Sequence, residues 1–265
     1  MKSIMDRLQE HYDEALEYFP EDRIVGIFLQ GSQNYGLQVP NSDVDTKLIV
    51  VPTFEEIAFN KKPHSTTHVR ANDEHIDFKD IRLMLGTFRK QNLNFLEILF
   101  TEYKIVNPRY AEQWSRLEAE AEAIAHFNRF AAIKAMKGVA MEKYHAMEHR
   151  YPAKIEIIDR MGYDPKQLHH LLRVEDYLER YINGESYAAC LKPTNPEYLR
   201  AVKLGCHDLE TARKLADQAM EHINAMCAPY DKDHEWNSND ERVDALLDDV
   251  QRNIMRDALK VELFE

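Results

Sequence analysis

Gly31-Ser32-Gln33-Asn34-Tyr35-Gly36-Leu37-Gln38-Val39-Pro40-Asn41-Ser42-Asp43-Val44-Asp45 is the stretch from which the fold of this chain is read. The apolar run Ile24-Val25-Gly26-Ile27-Phe28-Leu29 leads into it, and Thr46-Lys47-Leu48-Ile49-Val50-Val51 leads out. Both runs are short, β-branched and bounded by turn residues, which predicts two buried strands. Residues two apart in a strand share a face, so Asp43 and Asp45 present both carboxylates on one side. Like charges that close repel unless a cation or a proton stands between them. Mg²⁺, or Mn²⁺ in its place, is the natural cation, a hard ion that takes carboxylates, waters and phosphate oxygens. The Gly31-Ser32 pair supplies the other half of a site. Glycine lets the backbone approach a phosphate, and the amides and hydroxyl at a following helix start donate to its oxygens. Asp77, flanked by Ile76 and Phe78 in another strand-like run, offers a third acid. Three such acids can hold two metal ions about 3.5–4 Å apart for in-line phosphoryl transfer. As turn chemistry alone, the same residues describe a hairpin in which Asn41-Ser42-Asp43 caps a turn and Asp45 is merely exposed. The ordered combination favours catalysis.

A strand, Gly31-Ser32, then Asp43-x-Asp45, then a later strand carrying Asp77 resembles the signature of the polymerase-β-like nucleotidyltransferases. The narrower pattern, Gly-Ser-x-x-Tyr-Gly-Leu followed by Ser-Asp-Val-Asp, resembles the RNA-ligase-associated group called RlaP, with likeness running to about residue 220. The resemblance implies an α+β fold, a mixed-sheet nucleotidyltransferase core followed by an all-helical C-terminal domain. It implies transfer of an NMP from an NTP, ATP for example, to an acceptor hydroxyl on an RNA end or a protein, with release of pyrophosphate. In that chemistry Asp43 and Asp45 hold both metals, and Asp77 completes one metal site and helps deprotonate the acceptor. Gly31 and Ser32 hold the β- and γ-phosphates. Many relatives carry Arg after Gly-Ser and a basic residue just past Asp-x-Asp; Gln33 and Lys47 stand there in this chain. The link to RNA ligases suggests RNA repair by analogy. The alternative is a nucleotide-binding regulatory module of the same fold without transfer, and a metal-dependent phosphohydrolase is a third option.

Composition bounds the rest. The chain has 265 residues, 44% hydrophobic and 30% charged, room for two domains of a globular protein. No apolar run reaches membrane length and no signal-peptide h-region stands at the N-terminus. Cys190, Cys206 and Cys227 are odd in number and widely spaced, which suggests reduced thiols and a cytoplasmic protein. A formal charge of −12 opposes broad, non-specific nucleic-acid binding while leaving room for a local basic groove.

Along the chain, residues 3–19 predict a helix with a Ser3/Asp6 capping box and an apolar stripe of Ile4, Met5, Leu8, Tyr12, Ala15, Leu16 and Phe19. A hairpin is expected across Ala71-Asn72-Asp73. The apolar segment 94–100 encloses one acid, Glu97, expected as a cap or ion-pair partner. Strand signals fade near residue 107, so a core of 1–107 and a helical domain of 108–265 that closes over the nucleotide site are expected. Asp164-Pro165 starts one of its helices. On that helix Lys166, His169 and Arg173 share a face, with His170 at its edge. Cations at the positive end of a helix call for an anion; alone the stripe reads as a solvated helix face, and together with the Gly31-Ser32 site it is expected to take phosphate. The family resemblance adds Lys137, in a Lys-Gly pair on an earlier helix, as a further phosphate contact. His145 and His149 have zinc-compatible spacing, with a surface helix face favoured. Residues 230–239 read as a linker or lid before a last amphipathic helix.

Overall fold

The computed structural model describes residues 2–39, 42–232 and 237–264. Contacts divide the chain into two compact units. One comprises Met1–Asn34, Asn41–Phe127 and Asn239–Glu265, the other Tyr35–Pro40 and Asn128–Ser238. In chain order the helices are α1 (Ile4–Ala15), α2 (Phe54–Ala58), α3 (Ile81–Arg89), α4 (Leu93–Leu96), α5 (Ala111–Ala119), α6 (Ala121–Ala125) and α7 (Arg129–Ala146). They continue with α8 (Ile155–Met161), α9 (Pro165–Ile182), α10 (Tyr187–Leu191), α11 (Pro196–Lys203), α12 (Leu209–Lys232) and α13 (Glu241–Phe264). The strands are β1 (Ile24–Gln30), β2 (Asp45–Val50), β3 (Ser65–Val69), β4 (His75–Asp80) and β5 (Lys104–Val106). Among the described residues no helix is long and apolar enough to cross a membrane, and the three cysteines form no disulfide.

The first unit is built on one mixed sheet in the order β3-β4-β2-β1-β5. β2 and β4 run parallel; the other neighbours are antiparallel. Both predicted strands flanking the opening stretch form, and β3 and β4 pair as the expected hairpin, with Asp73 at φ 62° in its turn. Gly26 stands inside β1 because β5 crosses close by: a Cβ there would lie 2.9 Å from the Ile105 carbonyl oxygen.

Alternation sorts the sheet into two faces. Ile27, Leu48, Val50, Ile76 and Phe78 turn to one side and pack under Leu8, Tyr12, Ala15 and Phe19. The Ser3/Asp6 capping box that starts α1 is present. Met5 and Leu16, expected in the apolar stripe, are instead exposed, because α1 ends at Ala15 and the buried side follows Leu8, His11, Tyr12 and Ala15. The other face carries Gln30, Asp45, Lys47, Asp77 and Lys79, with Phe28 at one end packed against Trp114 of α5, ring centroids 4.2 Å apart and planes tilted by 32°.

The division does not fall near residue 107. Trp114 binds α5 to the sheet, the Tyr110 hydroxyl donates to the Asp22 carbonyl at 2.6 Å, and α13 belongs to this unit too. α13 buries Val243, Leu247, Val250, Ile254 and Ala258, while Arg89 takes Asp244 and Asp248, and Arg116 takes Asp249. The last helix thus completes the α/β unit.

The second unit is helical. α7, α9, α11 and α12 pack together, and α9 starts at Pro165 with Asp164 as its N-cap, as expected. α7 ends at Ala146, so His145 and His149 do not share a helix. The expected linker or lid at 230–239 is helical through Lys232, and residues 233–236 lie outside the described residues.

Candidate active site on the polar face of the sheet

The antiparallel register of β1 and β2 sets Gln30 opposite Asp45. The end of β1, where Gly31-Ser32 begins, therefore meets the start of β2, where Asp43-Val44-Asp45 arrives. Asp43 precedes the strand. Val44 is fully buried while Asp43 is exposed and Asp45 half-buried, which keeps both carboxylates on the accessible side.

Two neighbours on β4 and its preceding turn fix this segment. The Glu74 carboxylate, buried, accepts the Val44 N–H at 3.2 Å and also binds Arg7, Arg70 and His11. His11 is buried too, and burial first, with the nearby Arg70 charge, pulls its pKa down to about 4. His75 then donates its backbone N–H to Asp45 Oδ1 at 3.0 Å, and its ring Nδ1 lies 3.1 Å from the same oxygen.

Asp77 lies on the same face but beside a different residue. The parallel register of β2 and β4 sets Lys47 opposite Asp77, and the Lys47 ammonium is 3.2 Å from Asp77 Oδ2. Thr67 donates to Asp77 Oδ1 at 2.6 Å, and Gln30 donates to Oδ2 at 3.3 Å. Burial pushes the Asp77 carboxyl up, but the Thr67 hydroxyl and the Lys47 charge outweigh it and hold the group below the usual carboxylate range. Burial pulls the Lys47 ammonium down, with Asp77 acting against it. The Lys47 Nζ also sits 4.0 Å from the Phe95 ring centroid.

The turn after β1 is pinned from below. Gly31 takes φ +90°, a conformation that favours glycine. Its N–H donates to Glu97 Oε1 at 2.9 Å, so Glu97 is the cap for this turn. Asn34 donates to the Leu29 carbonyl and accepts from Thr101. The expected helix after Gly-Ser is a single 3₁₀ turn, Ser32–Tyr35. Because Glu97 takes the Gly31 N–H, the amide and hydroxyl of Ser32 are donors at this corner with no partner among the described residues.

This donor set suits one hard divalent ion: two carboxylates, with Asp45 Oδ2 making no hydrogen bond among the described residues. It does not form the expected three-acid cluster, and no group of three metal-binding side chains occurs among the described residues. Register is the reason. Asp45 faces His75 and Asp77 faces Lys47, so the two acids are offset by roughly 6–7 Å along the strands.

The chain matches the family described as RlaP, an RNA repair pathway DNA polymerase beta family, over residues 2–175. The chain belongs to the RlaP family. The match ends within α9, earlier than the residue 220 expected from the sequence. No curated protein matches this chain. The mixed sheet with its helical C-terminal region agrees with the α+β, polymerase-β-like fold that RlaP membership implies.

The expected phosphate residues of this RlaP chain's second unit are differently placed. Asp164, buried, caps α9 by accepting the Lys166 N–H at 2.9 Å, so the helix start already has its anion. Lys166 is exposed. His169 is buried, not part of an open stripe: its Nδ1 lies 2.8 Å from the Leu199 carbonyl, and burial pulls its pKa down to about 4. Arg173 is 5% exposed, its guanidinium is stacked 4.3 Å from the Tyr35 ring centroid, and its Nε has no hydrogen-bond partner among the described residues. On α11, Arg200 donates to the Gly36 carbonyl. Lys137 is paired with Asp231 at 2.7 Å.

Sequence reasoning left four participants unassigned. Lys47 and Gln30 are legible in hindsight from strand alternation, since both fall on the acid face. Glu74 carries no local signal, and alternation puts His75 on the acid face without showing that the β2–β4 register brings it to Asp45.

Proposed function

We propose that this protein is a divalent-metal-dependent nucleotidyltransferase that moves an NMP from an NTP to an acceptor hydroxyl, an RNA end or a protein side chain. The observation that supports this most is the β1–β2 register, which gathers Ser32's unengaged donors and the accessible Asp43 and Asp45 at one corner of the sheet in an RlaP chain. Asp43 and Asp45 would hold Mg²⁺ or Mn²⁺, which supplies charge neutralisation along the triphosphate. Ser32 would donate its amide and hydroxyl to phosphate oxygens. The acceptor oxygen attacks the α-phosphorus, the bond from that phosphorus to the bridging oxygen of the β-phosphate breaks, and pyrophosphate leaves. Both Asp77 oxygens are engaged by Thr67, Gln30 and Lys47, so Asp77 would act as a positioning charge while the acceptor's proton goes to water. In the second unit, Arg173 and Lys166 are assigned to phosphate, while His169 and Lys137 are engaged elsewhere.

The test is incubation with each α-labelled NTP, Mg²⁺ and candidate RNA and protein acceptors. Label on an acceptor together with pyrophosphate release is expected. Tight NTP binding with neither product would make the protein a regulatory module, and inorganic phosphate without labelled acceptor would make it a phosphohydrolase.

A further inference from the structure

A two-metal site needs positive charge beside its third acid as well as beside its first two. On this sheet face that place is taken. Lys47 stands in register with Asp77, its side chain is 3% exposed, and its ammonium lies 3.2 Å from Asp77 Oδ2. The Phe95 ring closes over it at 4.0 Å, and Glu97 adds a further attraction from beneath. Both oxygens of Asp77 already accept hydrogen bonds, from Thr67 on one and from Gln30 and Lys47 on the other. Asp45, by contrast, uses only Oδ1, and Asp43 makes no hydrogen bond among the described residues.

Charge balance points the same way. Asp43, Asp45 and Asp77 bring three negative charges and Lys47 removes one, leaving what a single divalent ion neutralises. Lys79, next along β4 on this face, is turned to Ser65 and does not reach the acids. A buried ammonium held by a carboxylate and an aromatic ring does not need recruiting from solution, and it cannot be diluted away.

We propose that the Lys47 ammonium is a built-in second cation of the acidic face, so that this chain takes one divalent ion, on Asp43 and Asp45, where three acids would otherwise hold two. This rests on the nucleotidyltransferase reading above and specifies its metal requirement.

The experiment counts Mn²⁺ bound to the full chain by electron paramagnetic resonance and calorimetry, alone and with a non-hydrolysable NTP. Wild type should bind one ion without nucleotide. Lys47→Met should admit a second, and Lys47→Arg, which keeps the charge, should stay at one. Thermal melting of each variant identifies any that fails to fold, in which case the wild-type and Lys47→Arg counts decide. Two ions on nucleotide-free wild type, or an unchanged single ion on folded Lys47→Met, would overturn the proposal. NMP transfer measured beside the count separates the two readings: transfer with two ions defeats only this inference, whereas no ion and no transfer defeats the function itself.

Discussion

Lys47 faces Asp77 across the parallel strands β2 and β4, with the ammonium 3.2 Å from the carboxylate, Lys47 almost wholly buried and Asp77 partly so. Removing one partner leaves the other buried without its counter-charge, whereas removing both leaves an apolar patch. Asp77→Ala should therefore destabilise the protein by about 1–3 kcal/mol. Lys47→Met added to it should recover part of that loss. Urea denaturation of the two single variants and the double variant measures the coupling, and strictly additive losses would mean the pair contributes nothing.

Asp43 and Asp45 behave oppositely, since neither pairs with a lysine or arginine among the described residues. Asp43→Asn or Asp45→Asn should abolish NMP transfer and Mn²⁺ binding. The melting temperature without metal should hold or rise slightly, because repulsion is relieved. Activity surviving in both variants would remove them from the chemistry.

Arg173 is a buried guanidinium stacked on the Tyr35 ring, and its Nε has no hydrogen-bond partner among the described residues. Lysine does not reproduce its planar fork. Arg173→Lys should weaken binding of NTP and of pyrophosphate roughly ten- to a hundredfold, the equivalent of about 1.5–3 kcal/mol. Adenosine should bind both proteins alike. Calorimetry with the three ligands checks this, and equal NTP affinity would leave Arg173 with a packing role only.

His169 carries a pH dependence with a definite sign. Its folded pKa is about 4, against an ordinary 6.5, because burial disfavours the charged ring. Below pH 6.5 the unfolded chain takes a proton that the folded chain refuses until about pH 4. Stability from this residue therefore falls as pH drops from 6.5 to 4 and is level above 6.5. Each pH unit in that window costs about 1.4 kcal/mol. His169→Gln should reduce the acid-side slope of stability by one proton's share in denaturation at pH 5 and 7.5. An unchanged slope would show that the ring titrates normally.

What the sequence made legible was local. Strand–turn–strand around Gly31-Ser32 and Asp43-x-Asp45 follows from alternation and turn residues, and the Asp164-Pro165 helix start follows from capping chemistry. What it hid was register and burial. Nothing near Asp77 in sequence announces that Lys47 and not Asp45 will stand opposite it. Helical spacing rightly put His169 and Arg173 on one face, but the amphipathic reading took that face for open surface, and Leu199 and Tyr35 cover it. The amphipathic pattern of α13 was plain, yet only Arg89, Arg116 and the apolar surface beside them decide which unit it joins.

The assignment of α13 to the first unit sets an order for synthesis on the ribosome. All five strands have been synthesised once residue 106 has been added, but the helix that completes their unit follows only after residues 128–238. Domains formed during translation generally fold from the N-terminal side first. Here the nearly continuous helical stretch can finish while the earlier sheet still waits for its last helix. A nascent chain tethered to the ribosome by an added linker that lets residue 240 clear the exit tunnel should hold a folded helical unit and an α/β unit that remains open to proteolysis, and adding α13 should close the latter.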